Sequence, residues 1–412
     1  MTCRHCQSDL DLCLLNLGTS PPANSYLNND ELSKDETWLP LRVWVCESCW
    51  LVQVEDFATS HQLFNKNYPY FSSYSRTWLS HCENYFENII ERFQLNKKSY
   101  VIEVASNDGC LLELFYKQGM NCLGIEPTQS TAESARSRGL NIVERFLDIE
   151  LAKTLAKERG KADLIVANNV LPHVPDINNF VSACALLLKE NGIITFEFQN
   201  VVELLEGKQF DTIYHEHFSY LSLTSTKKIL QHSNLVIFDV EKIPTHGGSL
   251  RVFAQKSENL SRTISPRVKK MLKIEKRKGV LSPSFYQGFQ EVAEQIRDEF
   301  LSFLHEAKNE NKVVAAYGAA AKGNTLLNYA RVTKELIAFV VDENPLKQGM
   351  LLPGSQIKIL PTKAIAEMNP DFLIILPWNL QNEITSQLCN TGSWKGKLVT
   401  AIPSLKIFSL EQ

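Results

Sequence analysis

No apolar run in the chain approaches the roughly 18–20 residues that would cross a bilayer. The longest, around Leu336–Val341 and Phe372–Trp378, have the length of buried strands. The amino terminus, Met1-Thr-Cys-Arg-His-Cys, lacks the apolar core of a secretory signal. An excess of one charge is lacking too: 43 basic and 46 acidic side chains leave a formal net charge of −3. No electrostatic footprint for nucleic acid results, and Lys269, Lys270, Lys273, Lys276, Arg277 and Lys278 stay within one short stretch. Ten cysteines in 412 residues are too few for a disulfide scaffold, and no tandem repeat of about 20–50 residues is visible. The expectation is a cytoplasmic globular chain with no membrane and no nucleic-acid partner. At about 100–200 residues per domain it has room for about two to four domains.

What is present divides into stretches of different character. Residues 1 to 65 are rich in cysteine, proline and asparagine and show no sustained helical period, so a small domain with little core of its own is expected. From about 70 to 98, Trp78, Tyr85, Phe86, Ile89 and Phe93 recur at helical spacing. Strand-like segments Ser99–Val104, Cys122–Ile125, Ala162–Ala167 and Gly192–Phe198 then alternate with helical ones, the pattern of a parallel sheet covered on both faces. A charged, mostly helical connector spans 259 to 311, broken at Gly279 and Pro283. The alternation restarts with Lys312–Tyr317, Leu336–Val341, Asp371–Leu376 and Lys397–Ala401, a second α/β unit.

Four cysteines form two close pairs, Cys3 with Cys6 and Cys46 with Cys49. Two C-x-x-C pairs joined by a long loop suit tetrahedral zinc, and a domain without much core gains folding free energy from the metal. Four thiolates leave no position for a reactive water, so the zinc is expected to be structural. His5 inside the first pair is read as a solvent-facing turn residue. The other cysteines, Cys13, Cys82, Cys110, Cys122, Cys184 and Cys389, are read as buried small apolar residues.

The segment Val101-Ile-Glu-Val-Ala-Ser-Asn-Asp-Gly-Cys is a strand, a polar turn and a helix start. A strand's carboxyl end and a helix's exposed N–H groups converge there on a nucleoside. Glu126 ends the next strand, where a carboxylate can take both ribose hydroxyls. The turn lacks G-x-G-x-x-G, which disfavours a dinucleotide. S-adenosylmethionine carries no phosphate and tolerates acidic Glu103 and Asp108 near its ammonium group. The competing reading is a plain α/β turn in which Asp108 only caps the helix. Ala167-Asn-Asn-Val-Leu-Pro-His-Val-Pro follows a strand to the same edge, with His173 on a rigid exposed turn between two prolines.

Phe210-Asp-Thr-Ile-Tyr-His-Glu-His-Phe sets Tyr214, His215, Glu216 and His217 among apolar neighbours, a setting in which pKa values are tuned for proton transfer. A metal site is the alternative. The H-E-H spacing is not the i, i+4 histidine pair of zinc hydrolases, so a general base is preferred over a metal site, with a satisfied core cluster as the bland reading. Thr245-His-Gly-Gly-Ser-Leu-Arg is a polar turn entering a strand at Arg251. Its glycines would allow a ligand close to the backbone or simply serve a hairpin. Val313-Val-Ala-Ala-Tyr-Gly-Ala-Ala-Ala-Lys-Gly-Asn-Thr superficially matches a phosphate loop. Asn324 stands where that motif has its lysine, which disfavours an NTPase. The helix start can still hold a diphosphate through Lys322, Gly323, Asn324 and Thr325, with Asp342 placed for a hydroxyl.

Taken together, the cysteine pairs, Leu17-Gly-Thr-Ser-Pro-Pro-Ala-Asn, Glu103–Gly109, Tyr214–His217, His246–Arg251 and Gly318–Asn328 resemble the sugar-nucleotide 3-C-methyltransferases that make branched deoxysugars. The resemblance covers nearly the whole chain. It implies an α/β protein with a zinc-binding module at 1–66, a central Rossmann-like class I methyltransferase domain at 67–256, and a helical connector plus second Rossmann-like domain at 257–412. His217 resembles the family's base, with Tyr214, Glu216 and His173 lining the reacting sugar. S-adenosylmethionine falls to Glu103, Ala105, Asn107, Asp108, Gly109, Glu126 and Asn168. The nucleotide sugar falls to His246, Gly247, Arg251, Lys322, Gly323, Asn324 and Thr325. The family usually has glycine where Ala105 stands. The implied partner is a small-molecule nucleotide sugar, and a monomer is favoured. Rival readings are a methyltransferase acting on oxygen or nitrogen, a nicotinamide-dependent oxidoreductase, and a non-enzymatic zinc-ribbon binding protein.

Overall fold

The computed structural model describes the chain except residues 29–35, 58, 65–70, 260, 392–393 and 411–412. The expected boundary between 66 and 67 therefore lies outside the described residues. Three sheets organise the rest. The first holds the antiparallel strands β1 (Leu12–Ser20), β2 (Leu39–Val45) and β3 (Val52–Val54). Along β2, Leu41, Val43 and Val45 are buried and alternate with partly exposed neighbours, the period-two pattern of a sheet covered on one face.

The helix Arg76–Phe93 begins where the Ser75 hydroxyl accepts a hydrogen bond from the Trp78 N–H, an N-cap that satisfies one orphan donor. It buries Cys82, Tyr85, Phe86 and Ile89, a stripe at helical spacing. The central sheet comprises β4 (Tyr100–Val104), β5 (Asn121–Ile125), β6 (Ile142–Val143), β7 (Ala162–Asn168), β8 (Leu188–Gln199), β10 (Leu235–Ile243) and β11 (Ser249–Lys256), in the order β10-β11-β8-β7-β4-β5-β6. Only β11 is reversed. All five residues of β4 are buried, as a parallel strand with helices on both faces requires. The intervening strand β9 (Ser219–Tyr220) leaves this sheet and pairs with β3.

Helices Pro266–Lys278 and Phe289–Asn309 form the connector, separated by Gly279 in the left-handed conformation and a turn at Pro283–Phe285. The third sheet holds β12 (Val314–Tyr317), β13 (Val340–Val341), β14 (Ile359–Leu360), β15 (Phe372–Ile375), β16 (Lys397–Thr400) and β17 (Lys406–Ser409), ordered β14-β13-β12-β15-β16-β17. β13 is shorter than the apolar run suggested: Ile337 and Phe339 are buried by packing, but only Val340 and Val341 pair.

The N-terminal sheet has no separate core. Leu15, Val43 and Val52 pack in one cluster with Phe300 and Leu304 of the connector and Val314 and Ile374 of the third sheet. In both parallel sheets the chain runs out to one side and returns to the other, leaving a switch point beside β4 and β7 and a second beside β12 and β15. Residues at the carboxyl ends of β4, β5, β7 and β12 line one cavity of about 870 Å³.

Candidate active site

Sγ of Cys3 lies 3.5 Å from Sγ of Cys49, and Sγ of Cys6 lies 3.4 Å from that of Cys46. All four sulfurs fall within 4.8 Å of one another. This donor set fits tetrahedral zinc with no open position. Among the described residues no other cluster of metal-ligating side chains converges in this way. His5 is neither a ligand nor solvent-facing. It is buried, with Nδ1 2.7 Å from Oδ1 of Asn178, whose Nδ2 donates to the His5 carbonyl. Of the other cysteines, Cys82, Cys110, Cys122 and Cys184 are buried, but Cys13 and Cys389 are exposed.

The first end of the cavity is built by the turn after β4. Ala105 and Asn107 adopt φ of 55° and 51°, the left-handed region that the family's usual glycine would enter without strain. Glu103, Ala105, Asn107, Glu126 and Asn168 all line the cavity. The Glu126 carboxylate accepts from the N–H groups of Asn107 and Thr128, which fixes the turn against β5. Burial pushes Glu103 well above the usual carboxylate range, and its Oε2 has no hydrogen-bond partner. Neither amide atom of Asn168 has one, nor does Ser106 Oγ. Buried polar atoms left unpaired cost free energy, so this wall calls for a polar ligand. S-adenosylmethionine meets that requirement.

Two residues expected here lie elsewhere. Asp108 is fully buried behind the turn, accepting from the Ser73 N–H and facing Arg138. Gly109 serves packing: a Cβ there would sit 2.3 Å from Leu140 Cδ1.

Tyr214, Glu216, His217 and His173 line the same cavity as the turn after β4. His217 Nδ1 lies 3.0 Å from the Thr212 carbonyl, an acceptor only, so this nitrogen carries the hydrogen. The lone pair is therefore on Nε2, 2.7 Å from the Tyr214 hydroxyl. His173 Nδ1 likewise donates to the Glu216 carbonyl at 2.8 Å, and the two rings pack edge-on with centroids 4.7 Å apart. Burial holds His173 and His246 each down to about 4; burial and the neighbouring His173 hold His217 well below the usual imidazole range. His173 thus belongs to the cavity wall, not to an exposed turn. His215 turns away to the Pro40 carbonyl, so H-E-H does not converge on a metal.

At the far end, Lys322 and His246 line the cavity. Lys322 Nζ donates to Asn379 Oδ1 at 2.6 Å and lies over the Trp378 ring. Lys347, which sequence reasoning missed, also lines the cavity and donates to the Ala319 carbonyl. The remaining expected residues do structural work. Asn324 Nδ2 donates to the Ala23 carbonyl and Thr325 Oγ1 to the Ile213 carbonyl, both at a buried domain contact. Gly323 is packed against Leu376, and Gly247 lets the backbone pass Trp378, 2.5 Å from where a Cβ would stand. Arg251 sits opposite Glu197 in the β11–β8 register and gives its guanidinium to that buried carboxylate, which His81 also contacts. Asp342 accepts from the N–H groups of Ala319 and Asn344, shaping the turn.

A parallel sheet with one reversed strand, a cavity with unpaired polar groups at its switch point and a four-cysteine cluster are the features of an S-adenosylmethionine-dependent methyltransferase with a zinc-binding module. Residues 3–64 match the model of a zinc binding domain, 78–240 that of a methyltransferase domain, and 244–403 that of a C-methyltransferase C-terminal domain. C-methyltransferase NovU of Streptomyces niveus is 32% identical over 409 residues, 99% of this chain and 97% of that one. A ubiquinone biosynthesis O-methyltransferase of Pasteurella multocida is 36% identical over 113 residues, 24% of this chain and 46% of the relative. Among solved structures, magnesium protoporphyrin IX methyltransferase of Synechocystis with bound SAM is 15% identical, covering 43% of this chain and 79% of its own, with a TM-score of 0.34. The chain belongs to the C-methyltransferase family that includes NovU.

Proposed function

We propose that the enzyme methylates carbon 3 of a nucleotide-linked 4-keto-6-deoxy sugar through an enolate, with His217 as base. The observation that carries this reading is the His217 side chain: neutral, its tautomer set by Thr212, with Nε2 beside the Tyr214 hydroxyl in the cavity that the turn after β4 also lines. A 4-keto group acidifies the hydrogen on carbon 3, and Nε2 takes that proton. Low basicity before substrate binds is no obstacle, because the imidazolium forms next to a new enolate charge that stabilises it. His173 has its hydrogen on Nδ1, directed at the Glu216 carbonyl, so its other nitrogen accepts rather than donates. That leaves the Tyr214 hydroxyl as the donor to the enolate oxygen: its hydrogen turns from Nε2 to the 4-keto oxygen as substrate binds, which frees the Nε2 lone pair for the carbon-3 proton. Bound S-adenosylmethionine supplies the methyl group from its sulfonium. General-base assistance contributes about 10²–10⁴-fold, an aimed donor a comparable factor, and alignment the remainder.

The substrate's diphosphate is assigned to the far end of the cavity. Lys322, Lys347 and the start of the helix Ala321–Tyr329, which has no side-chain cap, support this placement. Asn324 and Thr325 then act by fixing that helix, not by contact. Incubation with S-adenosylmethionine and a panel of nucleotide-4-keto-6-deoxysugars tests the reading, with mass gain and solvent deuterium at carbon 3 as readouts. Methylation of an oxygen or nitrogen, or transfer without carbon-3 exchange, would sink it.

A further inference from the structure

The segment Pro21–Leu27 joins the N-terminal module to both other units. Leu27 and Leu351 exchange two backbone hydrogen bonds of 3.0 and 2.9 Å, and Asn324 Nδ2 donates to the Ala23 carbonyl at 2.7 Å. The Tyr26 hydroxyl donates to the Ala319 carbonyl. Held at these points, the segment brings Asn24 to the cavity wall, where Nδ2 donates to Oε2 of Glu216 at 2.6 Å. Glu216 is 1% exposed. A carboxylate only accepts, so the Asn24 amide must present its N–H groups, and a donor of this kind favours the ionised form and a single rotamer.

We propose that Asn24 is a positioning residue for methyl transfer: it holds the Glu216 carboxylate ionised and aimed across the cavity at the sugar. The N-terminal module thereby contributes to the reaction centre as well as to the fold. The assignment rests on the reading of Glu216 as a sugar contact.

Two measurements test it, one of them free of substrate. In protein carrying carboxyl-labelled glutamate, the Glu216 resonance is identified by its loss in Glu216→Gln. It should titrate at higher pH in Asn24→Ala, and higher still in the isosteric Asn24→Asp, where a second carboxylate faces it. In turnover, Asn24→Ala should lower kcat about 10- to 100-fold, the range set by a hydrogen bond to a charged group. S-adenosylmethionine affinity should stay within about twofold. In a Glu216→Gln background the same substitution should cost nothing further, because the two act as one unit. An unmoved Glu216 titration in both variants, or losses that multiply, would overturn the proposal. If Asn24→Ala does not fold, Asn24→Asp carries both readouts. If no sugar in the panel is methylated, the function reading fails while the titration still decides the role of Asn24.

Discussion

The Tyr214 hydroxyl lies 2.7 Å from Nε2 of His217, and the Thr212 carbonyl fixes the hydrogen on the opposite side of that ring. The pair is a phenol donating to a neutral imidazole, and both line the cavity. His217→Asn should remove both methyl transfer and carbon-3 deuterium exchange, while Tyr214→Phe should slow both by about 10²–10³-fold, the loss expected for one aimed donor. Full exchange in His217→Asn would place the base elsewhere.

The pH dependence of turnover follows from the direction of the His217 shift. The working form is the neutral one, and burial keeps the imidazole neutral below its ordinary 6.5. The acid limb of kcat/KM for the free enzyme should therefore lie below pH 6.5. A limb near 7 or higher would show that another group controls it.

Asp211 gives a stability prediction of opposite sense. Burial raises its carboxyl from 3.8 to about 6, although the Trp378 indole N–H donates to it. A raised carboxyl gives stability that is present below pH 3.8 and lost as pH rises through about 6. At neutral pH the cost is about 3 kcal/mol. Asp211→Asn, which retains an acceptor for Trp378, should gain on the parent across that interval in thermal melts at stepped pH. Parallel melting curves would refute the assignment.

Removing the metal, or replacing Cys46 with serine, should abolish turnover while leaving S-adenosylmethionine binding within a few-fold. The loop carrying Tyr214 and His217 is tied to the cysteine module by the β3–β9 pairing, by His215 to Pro40, and by Asn24 to Glu216. The turns after β4 and β5 are carried by the central sheet, and the module reaches that side through His5 to Asn178 and Arg4 to the Pro175 carbonyl. Calorimetric titration with the cofactor, run beside activity, separates the two. Equal loss of both would mean that the module supports the whole central domain.

Ala105 sits at φ 55°, a conformation that costs a non-glycine residue about 1–2 kcal/mol. Ala105→Gly recovers this and gives back part through the freer unfolded chain, for a net gain of about 0.5–1 kcal/mol. Denaturant unfolding would register it, and a loss of stability would show that the Cβ makes a needed contact.

The elements whose signal is local were legible in the sequence. Two C-x-x-C pairs meet in one cluster, the stripe on Arg76–Phe93 buries as spaced, and the polar turn after Val104 lines the cavity. Tyr214 to His217 was legible because three residues of spacing bring phenol and imidazole together. Asn24 and Lys347 were not, since each reaches the cavity from a segment far along the chain. Asn324 and Thr325 illustrate the converse: their place at a helix start suggests a phosphate, but tertiary neighbours claim both side chains. Arg251 was misplaced for a similar reason, because strand register sets it against Glu197.

Ser219 and Tyr220 complete a sheet whose other strands lie near the start of the chain. During synthesis β3 must wait, with that edge bare, until most of the central domain has left the ribosome. An open edge is a template for wrong partners, so the order of assembly matters here, and the residues that close the edge lie two and three positions after His217.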